Sequence, residues 1–310
     1  MLTYYKTDKS GTLVQLDAPE KGCWISVVSP TRGERRILEY DIGIVPEFIK
    51  ASLDEEETSY IDQNEEERQV MVIADYPVRD RQDPELSFNT LPIGVILTPD
   101  YVVTICSEPN RIISDMEKGR GKFSTTQKTR FLLLIFLNIS QRFLFCLRQI
   151  DRFANQTEKR LYKHMENKEL LSMLKLDKSL IYFSTSLKAD ELTLNKIMRG
   201  KQIPLYPDDT DLLEDVIIEI RQAVEMCEVY SNINARTMDG FSNVLSNNMN
   251  MIMKELTVLT IVMSIPNMIY GFYGMNVTGL PLPVMWFPLV LSIVICVVAW
   301  IYFKHTHLFK

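Results

Sequence analysis

Two long apolar runs near the end of the chain dominate its hydrophobic pattern. Residues 256–303 contain no Asp, Glu, Lys, Arg or His, and the runs 256–273 and 286–303 flank a short uncharged segment. As helices, the runs are each roughly 27 Å long, close to the ~30 Å hydrocarbon core of a bilayer. Soluble helices rarely stay free of charge on every face, so the pattern favours two membrane spans over a buried soluble hairpin.

Basic residues flank this predicted hairpin on one side of the membrane. Lys254 precedes the first span, and Lys304, His305, His307 and Lys310 follow the second, whereas the intervening loop carries no charge. By the positive-inside tendency, both chain ends lie in the cytoplasm and the loop faces outwards. We therefore predict a multi-pass protein of the cell (inner or plasma) membrane.

Polar residues in the first span recur with a helical period. Thr257, Thr260, Ser264, Asn267 and Gly271 follow one another at steps of three and four, and the same face extended backwards includes Asn250 and Met253. Small and hydroxyl residues on one face of a membrane helix are typical of helix packing. A row that is polar but never ionised also suits the lining of a cation pore. The spacing leaves both interpretations open.

The residues before the spans predict a mixed domain followed by long helices. Short β-rich runs occur at 23–28, 70–74, 93–98 and 101–105, with Pro99-Asp100 as a hairpin turn between the last two, and helical patterns cover 33–40 and 46–53. From a capping box at Ser124 and Gln127, one helix runs to about 163, a second spans 168–198, and a third runs from about 209 into the membrane. Residues 131–137 are apolar but too few to span a bilayer, which favours packing in a core or between subunits.

These patterns give the following predicted domains: a cytoplasmic α/β domain at 1–122, a helical hairpin at 123–207, a stalk helix at 208–255, the first span at 256–273, an outer loop at 274–285, the second span at 286–303 and a basic tail at 304–310.

Charge and residue usage exclude several functions. All 40 acidic residues but only 32 of the 34 Lys and Arg precede residue 256. The predicted soluble part therefore has a formal net charge of −8, which argues against nucleic-acid binding. The five cysteines lack metal-ligand spacing and are predicted to be reduced. Three histidines without a nucleophile partner and the lack of a phosphate-binding glycine loop argue against an enzyme.

A short motif at the end of the first span connects the chain to a known family. The motif Tyr273-Gly274-Met275-Asn276, directly after the first of two C-terminal spans, resembles the signature of the CorA family of divalent metal ion transporters. An upstream match at Asn250, Met253, Lys254, Leu256 and Thr257 extends the resemblance. The close match covers about residues 239–310, and a looser one covers the whole chain.

The resemblance implies a fold and an assembly. It implies an α+β (αβα) cytoplasmic domain, long helices and a two-helix transmembrane hairpin, assembled as a homopentameric funnel in lipid. The first spans surround a central pore, where Gly274, Met275 and Asn276 form the selectivity motif and Asn276 holds hydrated Mg²⁺ through its waters. The implied pore positions largely coincide with the periodic stripe, and together the two give Asn250, Met253, Leu256, Thr257, Thr260, Ser264, Asn267 and Gly271.

The resemblance also implies regulation by cytoplasmic Mg²⁺ bound between subunits, with no organic cofactor. Asp239 matches the regulatory acid of the long helix, and Asp80, Asp83 and Glu85 are candidate partners from a neighbouring subunit. The outer loop departs from many family members because residues 277–285 contain no acid, which leaves the preferred metal open.

Three functions follow from these observations. The first is a passive Mg²⁺ uptake channel driven by the membrane potential, also passing Co²⁺ or Ni²⁺, in which Met253 and Leu256 form the apolar constriction. The second is a zinc transporter of the ZntB type on the same fold. The third is a membrane-anchored sensor or structural protein, which would carry no ion flux and would tolerate Asn276→Ala.

Overall fold

The computed structural model describes residues 1–80, 87–121, 123–164, 167–200, 202–275, 281–282 and 284–305, with the side chains of 162–164 and 167 also left out. Its contacts divide the chain into two compact units, Met1–Arg236 and Thr237–Lys310. We describe each unit by itself.

A seven-stranded mixed sheet forms the centre of the first unit. Its strands are β1 (Leu2–Thr7), β2 (Leu13–Leu16), β3 (Trp24–Val28), β4 (Tyr60–Asn64), β5 (Gln69–Arg79), β6 (Phe88–Leu97) and β7 (Val102–Cys106). They lie in the order β2-β1-β3-β7-β6-β5-β4, with β3 and β7 parallel and the other pairs antiparallel. The four predicted strands and the hairpin between β6 and β7 are confirmed. The sequence reading missed β1, β2 and β4, which lack a buried apolar run.

Short helices cover one face of the sheet. They are α1 (Arg32–Arg36), which continues into a π-helical turn (Ile37–Asp41), and α2 (Pro46–Ala51), which begins at the first residue of the predicted pattern 46–53. Phe48 of α2 lies in a cluster of buried residues with Ile25, Val27 and Met71 of the sheet. A further short helix, α3 (Arg111–Glu117), follows β7. Burial of this apolar face stabilises the layer at roughly 25 cal/mol per Å² removed from water.

Two long helices follow, α4 (Lys128–His164) and α5 (Asn167–Met198). The Phe131 ring lies 5.2 Å from that of Trp24, and the Phe183 ring lies 5.8 Å from that of Phe88 and 5.0 Å from that of Phe143. The apolar run at 131–137 is therefore core, as the sequence predicts. Gly200, with a φ of 66°, follows the end of α5.

One local prediction about these helices is wrong. Ser124 forms no capping box with Gln127, because its hydroxyl pairs with Thr126 Oγ1 at 2.9 Å and α4 begins only at Lys128. On α5, Leu180 and Leu187 are buried, whereas Leu171, Leu174 and Ile181 are 58%, 46% and 55% exposed in the single chain. α5 thus has apolar residues on two sides, and only one of these sides faces the core of the chain.

The last two helices are α6 (Pro207–Tyr273) and α7 (Trp286–His305). α6 is continuous over 67 residues, roughly 100 Å, and belongs to both units. By length and composition, α4, α6 and α7 are each apolar enough to cross a membrane. The apolar window of α4 is 61% buried, against 6% and 11% for α6 and α7, so the first lies in a core and the other two present their apolar surface outwards.

Gly94 in β6 allows α2 to pack closely on the sheet, and it provides a test of this layer. A Cβ added at Gly94 would overlap the side chain of Ser52, the C-terminal cap of α2, and would lie 3.3 Å from its Cα. We expect Gly94→Ala to lower the free energy of unfolding by about 1–3 kcal/mol, measured by denaturant titration. Gly33→Ala is the matched control, because its Cβ would meet only Thr31 Oγ1 at 3.9 Å. Equal stabilities of the two variants would contradict the close approach.

Candidate functional site

The polar stripe predicted in the first span lies on one exposed face of α6. Its members are all exposed in the single chain, and they are Asn250, Met253, Leu256, Thr257, Thr260, Ser264, Asn267 and Gly271. The structure therefore places the sequence-predicted pore residues together on a single helix.

The other side of α6 contacts α7. Val258 is 3% exposed, the Cys296 thiol lies 3.5 Å from Val262 O, and Tyr270 Oη lies 3.3 Å from Ser292 Oγ. Val258, Val262, Ile265 and Ile269 form this covered side. At 3.6 residues per turn, the centre of the stripe is about 150° around the helix from it. α7 thus shields the apolar side of α6, and the polar side has no neighbour in the described part of the chain.

The hydroxyl groups of the stripe bond back to their own helix. Thr257 Oγ1 donates to Met253 O at 2.7 Å, Thr260 Oγ1 donates to Leu256 O at 2.7 Å, and Ser264 Oγ donates to Ile261 O at 2.8 Å. Because each proton is used inside the helix, the oxygen lone pairs remain as acceptors. Together with the Asn250 and Asn267 amides, they give a row of neutral oxygens that suits a cation or its hydration water.

Pro266 interrupts the backbone hydrogen bonding of α6 within the stripe region. Proline has no N–H, so Val262 O loses its usual donor four residues later. The Cys296 thiol of α7 lies 3.5 Å from this carbonyl and donates to it. An unpaired carbonyl is costly in lipid, and this contact stabilises the hairpin where the helix is weakest. The sequence reading missed this role because the two residues are far apart in the chain.

The predicted selectivity motif begins where α6 ends. Gly274 N donates to Tyr270 O at 2.8 Å, and a Cβ at Gly274 would lie only 3.1 Å from that oxygen. Tyr273 Oη donates to Pro281 O at 3.0 Å, and its ring lies 6.1 Å from that of Phe287 in α7. Asn276 lies outside the described residues, as do 277–280 and Pro283. The described ends of the loop are thus joined to each other through the motif tyrosine.

The predicted regulatory residues are dispersed. Asp239 is exposed on α6 in the second unit, and Asp80 follows β5 in the first unit, where Ser87 Oγ donates to its carboxylate at 3.2 Å. Asp83 and Glu85 lie outside the described residues. Among the residues that the structure describes, no three His, Cys, Asp or Glu side chains cluster to hold a metal. The single chain brings the pore residues together but not the regulatory ones.

Comparisons with known proteins agree with this arrangement. A family model described as "CorA-like Mg2+ transporter protein" matches residues 19–305. The cobalt/magnesium transport protein CorA of Methanocaldococcus jannaschii is 26% identical over 298 residues, which cover 91% of this chain and 90% of that protein.

Solved structures share the fold. The complete structure of the CorA magnesium transporter from Methanocaldococcus jannaschii superposes with a TM-score of 0.81 at 23% identity, over 99% of this chain and 96% of that one. The ZntB cytoplasmic domain from Vibrio parahaemolyticus gives a TM-score of 0.63 at 13% identity, over 79% of this chain and 98% of that one. The sheet-containing first unit, the long helices and the apolar C-terminal helix are all represented in the full-length match.

Proposed function

This chain belongs to the CorA-like Mg²⁺ transporter family, a family of divalent cation transporters, and we propose that it is a passive, multi-pass Mg²⁺ uptake channel that also passes Co²⁺ or Ni²⁺. The observation that carries the proposal is the exposed row of neutral oxygens on α6, opposite the side that α7 covers. In lipid such a row requires a protein or water environment.

Self-association supplies that environment. One α7 helix per chain covers one side of α6, so the polar side must face other copies of α6 or water between them. Five copies are proposed from the family resemblance, with the stripes facing a common axis. The α7 helices then form an outer ring in contact with lipid, which suits their uniformly apolar surface.

Selection of the ion is proposed to occur at Asn276. Mg²⁺ gives up water reluctantly, so a ring of amide oxygens can hold the hydrated ion through its water ligands without binding it tightly. Since the following loop contains no acid, the selectivity depends on these amides and not on a ring of carboxylates. The apolar side chains Met253 and Leu256, both more than half exposed on the stripe, form the constriction that closes by excluding water.

The membrane potential supplies the driving force. The stripe carries no ionised side chain, so no charged group traps the ion or couples its movement to another reaction. Moving one elementary charge through 100 mV is worth about 2.3 kcal/mol, and therefore about 4.6 kcal/mol for Mg²⁺. With Lys254 before the first span and Lys304 after the second, both chain ends are proposed to lie in the cytoplasm, so the potential drives uptake.

Asn276→Ala tests the selectivity site directly. In liposomes that contain the full-length protein and an internal Mg²⁺ dye, with the inside negative, we expect Mg²⁺ uptake for the natural chain. We expect Asn276→Ala to lower uptake to that of empty liposomes, because the amide ring that holds the hydrated ion is lost. Asn232→Ala, an exposed asparagine of α6 outside the stripe, is the matched control and keeps full uptake.

Other outcomes of that assay identify the alternatives. Zinc uptake in place of Mg²⁺ uptake would support the ZntB-like function, for which the acid-free outer loop is the motivating observation. No flux of any divalent ion, with equal behaviour of the natural chain and Asn276→Ala, would support the anchored sensor.

Asp239→Asn tests regulation by cytoplasmic Mg²⁺. A carboxylate that contributes a charged hydrogen bond or ligand is worth roughly 1.5–3 kcal/mol, so its loss should raise the Mg²⁺ concentration for half-closure at least about tenfold. The measurement is current across a patch or planar bilayer while Mg²⁺ on the cytoplasmic side is varied. Glu225→Gln, another exposed acid of α6, should leave the closure concentration unchanged. Equal shifts in both variants would indicate a general charge effect, not a site at Asp239.

A further inference from the structure

Two carboxyl groups are buried together in the first unit, far in sequence from the proposed pore. Asp75 of β5 is 4% exposed and Asp190 of α5 is 0% exposed. The Asp75 backbone N–H donates to Asp190 Oδ1 at 3.1 Å. The pairing of β4 with β5 ends at Tyr60 and Ile73, so β4 does not pair with β5 at Asp75. Asp190 accepts the backbone hydrogen bond of Asp75 in place of a β4 residue.

Each of these carboxyl groups keeps one oxygen without a hydrogen-bond partner. Within the described part of the chain, Asp75 Oδ1 and Asp190 Oδ2 are buried and unpaired. Two ionised carboxylates in this position would repel each other and leave two acceptors unsatisfied. A proton on either group would convert one acceptor into a donor.

The described side chains around the pair supply hydroxyl groups and negative charge. The hydroxyl groups of Ser59 and Ser186 lie beside the pair, and Glu57, in the segment before β4, adds a further negative charge. β6 contributes the Thr90 hydroxyl, which bonds Ser186 at 2.9 Å. No lysine, arginine or histidine among the described residues of the neighbouring strands or of α4 and α5 forms an ion pair with either carboxyl group.

The charged residues next to Asp190 on α5 are directed elsewhere. Lys188 pairs with Glu228 at 2.8 Å, and Glu191 pairs with Arg221 at 2.8 Å, both on α6. The same turn of α5 therefore contacts the sheet through Asp190 and α6 through its flanking residues.

We propose that Asp75 and Asp190 form a proton-binding site that fastens α5 to the edge of the sheet, so that this contact weakens as the pH rises. A proton fits better than a metal, because Mg²⁺ requires about six oxygen ligands and the pair supplies two carboxylates in a fully buried contact. The site is independent of ion conduction.

The direction of the pH effect follows from burial. Burial raises the pKa of Asp75 to about 6, with Glu57 adding to the shift, and burial together with the charge of Asp75 raises the pKa of Asp190 well above its usual value. Both groups thus bind protons more tightly in the folded state than in the unfolded chain. The stabilisation is complete below about pH 4 and is lost for Asp75 as the pH rises through about 6, and the raised pKa of Asp190 acts in the same direction.

Infrared spectroscopy of the full-length protein in lipid nanodiscs tests the site without any transport assay. We expect a protonated carboxylic acid band that persists at pH 5 and declines as the pH is raised through about 6. Asp75→Asn should change this band, whereas Asp62→Asn, an exposed acid of β4, should leave it unchanged. Absence of the band at pH 5 in the natural protein would overturn the proposal. Loss of the band on adding Mg²⁺ at constant pH would do the same and would indicate a cation site.

Stability gives a second readout. The unfolding equilibrium constant of the natural chain should rise at least about fiftyfold between pH 4 and 6.5 beyond the change in the double variant Asp75→Asn/Asp190→Asn, in which neither group titrates. Asp75 alone supplies this factor, and Asp190 adds to it. Equal pH dependence of the two proteins would overturn the proposal. Should the double variant not fold, the infrared titration of the natural protein decides alone.

Discussion

The arrangement of the C-terminal helices depends on one constraint, which is that a bilayer offers no partner for a polar group. α6 carries amides and hydroxyls along one side and a proline-induced gap in its backbone bonding on the other. α7 contacts the second side, where the Cys296 thiol donates to Val262 O. It leaves the first side open. A single hairpin therefore leaves polar groups without partners, and this is the reason for proposing self-association around the stripe.

α6 has residues in both units, and its contacts differ between them. In the first unit, α6 is held through ion pairs with α5, such as Arg221 with Glu191, and α5 in turn contacts the sheet at Asp75. In the second unit, the helix presents neutral oxygens together with Met253 and Leu256, the proposed apolar constriction. α6 runs without a break from Pro207 to Tyr273 and so contributes residues to both units.

The sequence predicts what depends on local pattern, and it fails where contacts are distant. The charge-free runs, the 3.6-residue stripe and the buried strands β5, β6 and β7 are visible because each has its own period or composition. The short strand β1 was missed, since its apolar and polar residues give no buried run and only pairing with β2 and β3 defines it. The Asp75 and Asp190 contact joins residues 115 apart, and no spacing in the sequence indicates it.

Water access along α6 is the measurement that tests the proposed pore most directly. Single cysteines would be placed at Thr260, Ser264 and Asn267 on the stripe and at Ile265 and Ile269 on the α7 side, in a background without native cysteines. A water-soluble, membrane-impermeant thiol reagent should modify the first three and spare the other two. Reaction at Ile265 and Ile269 with protection of the stripe would contradict a pore lined by these oxygens, and would assign the stripe to dry helix packing.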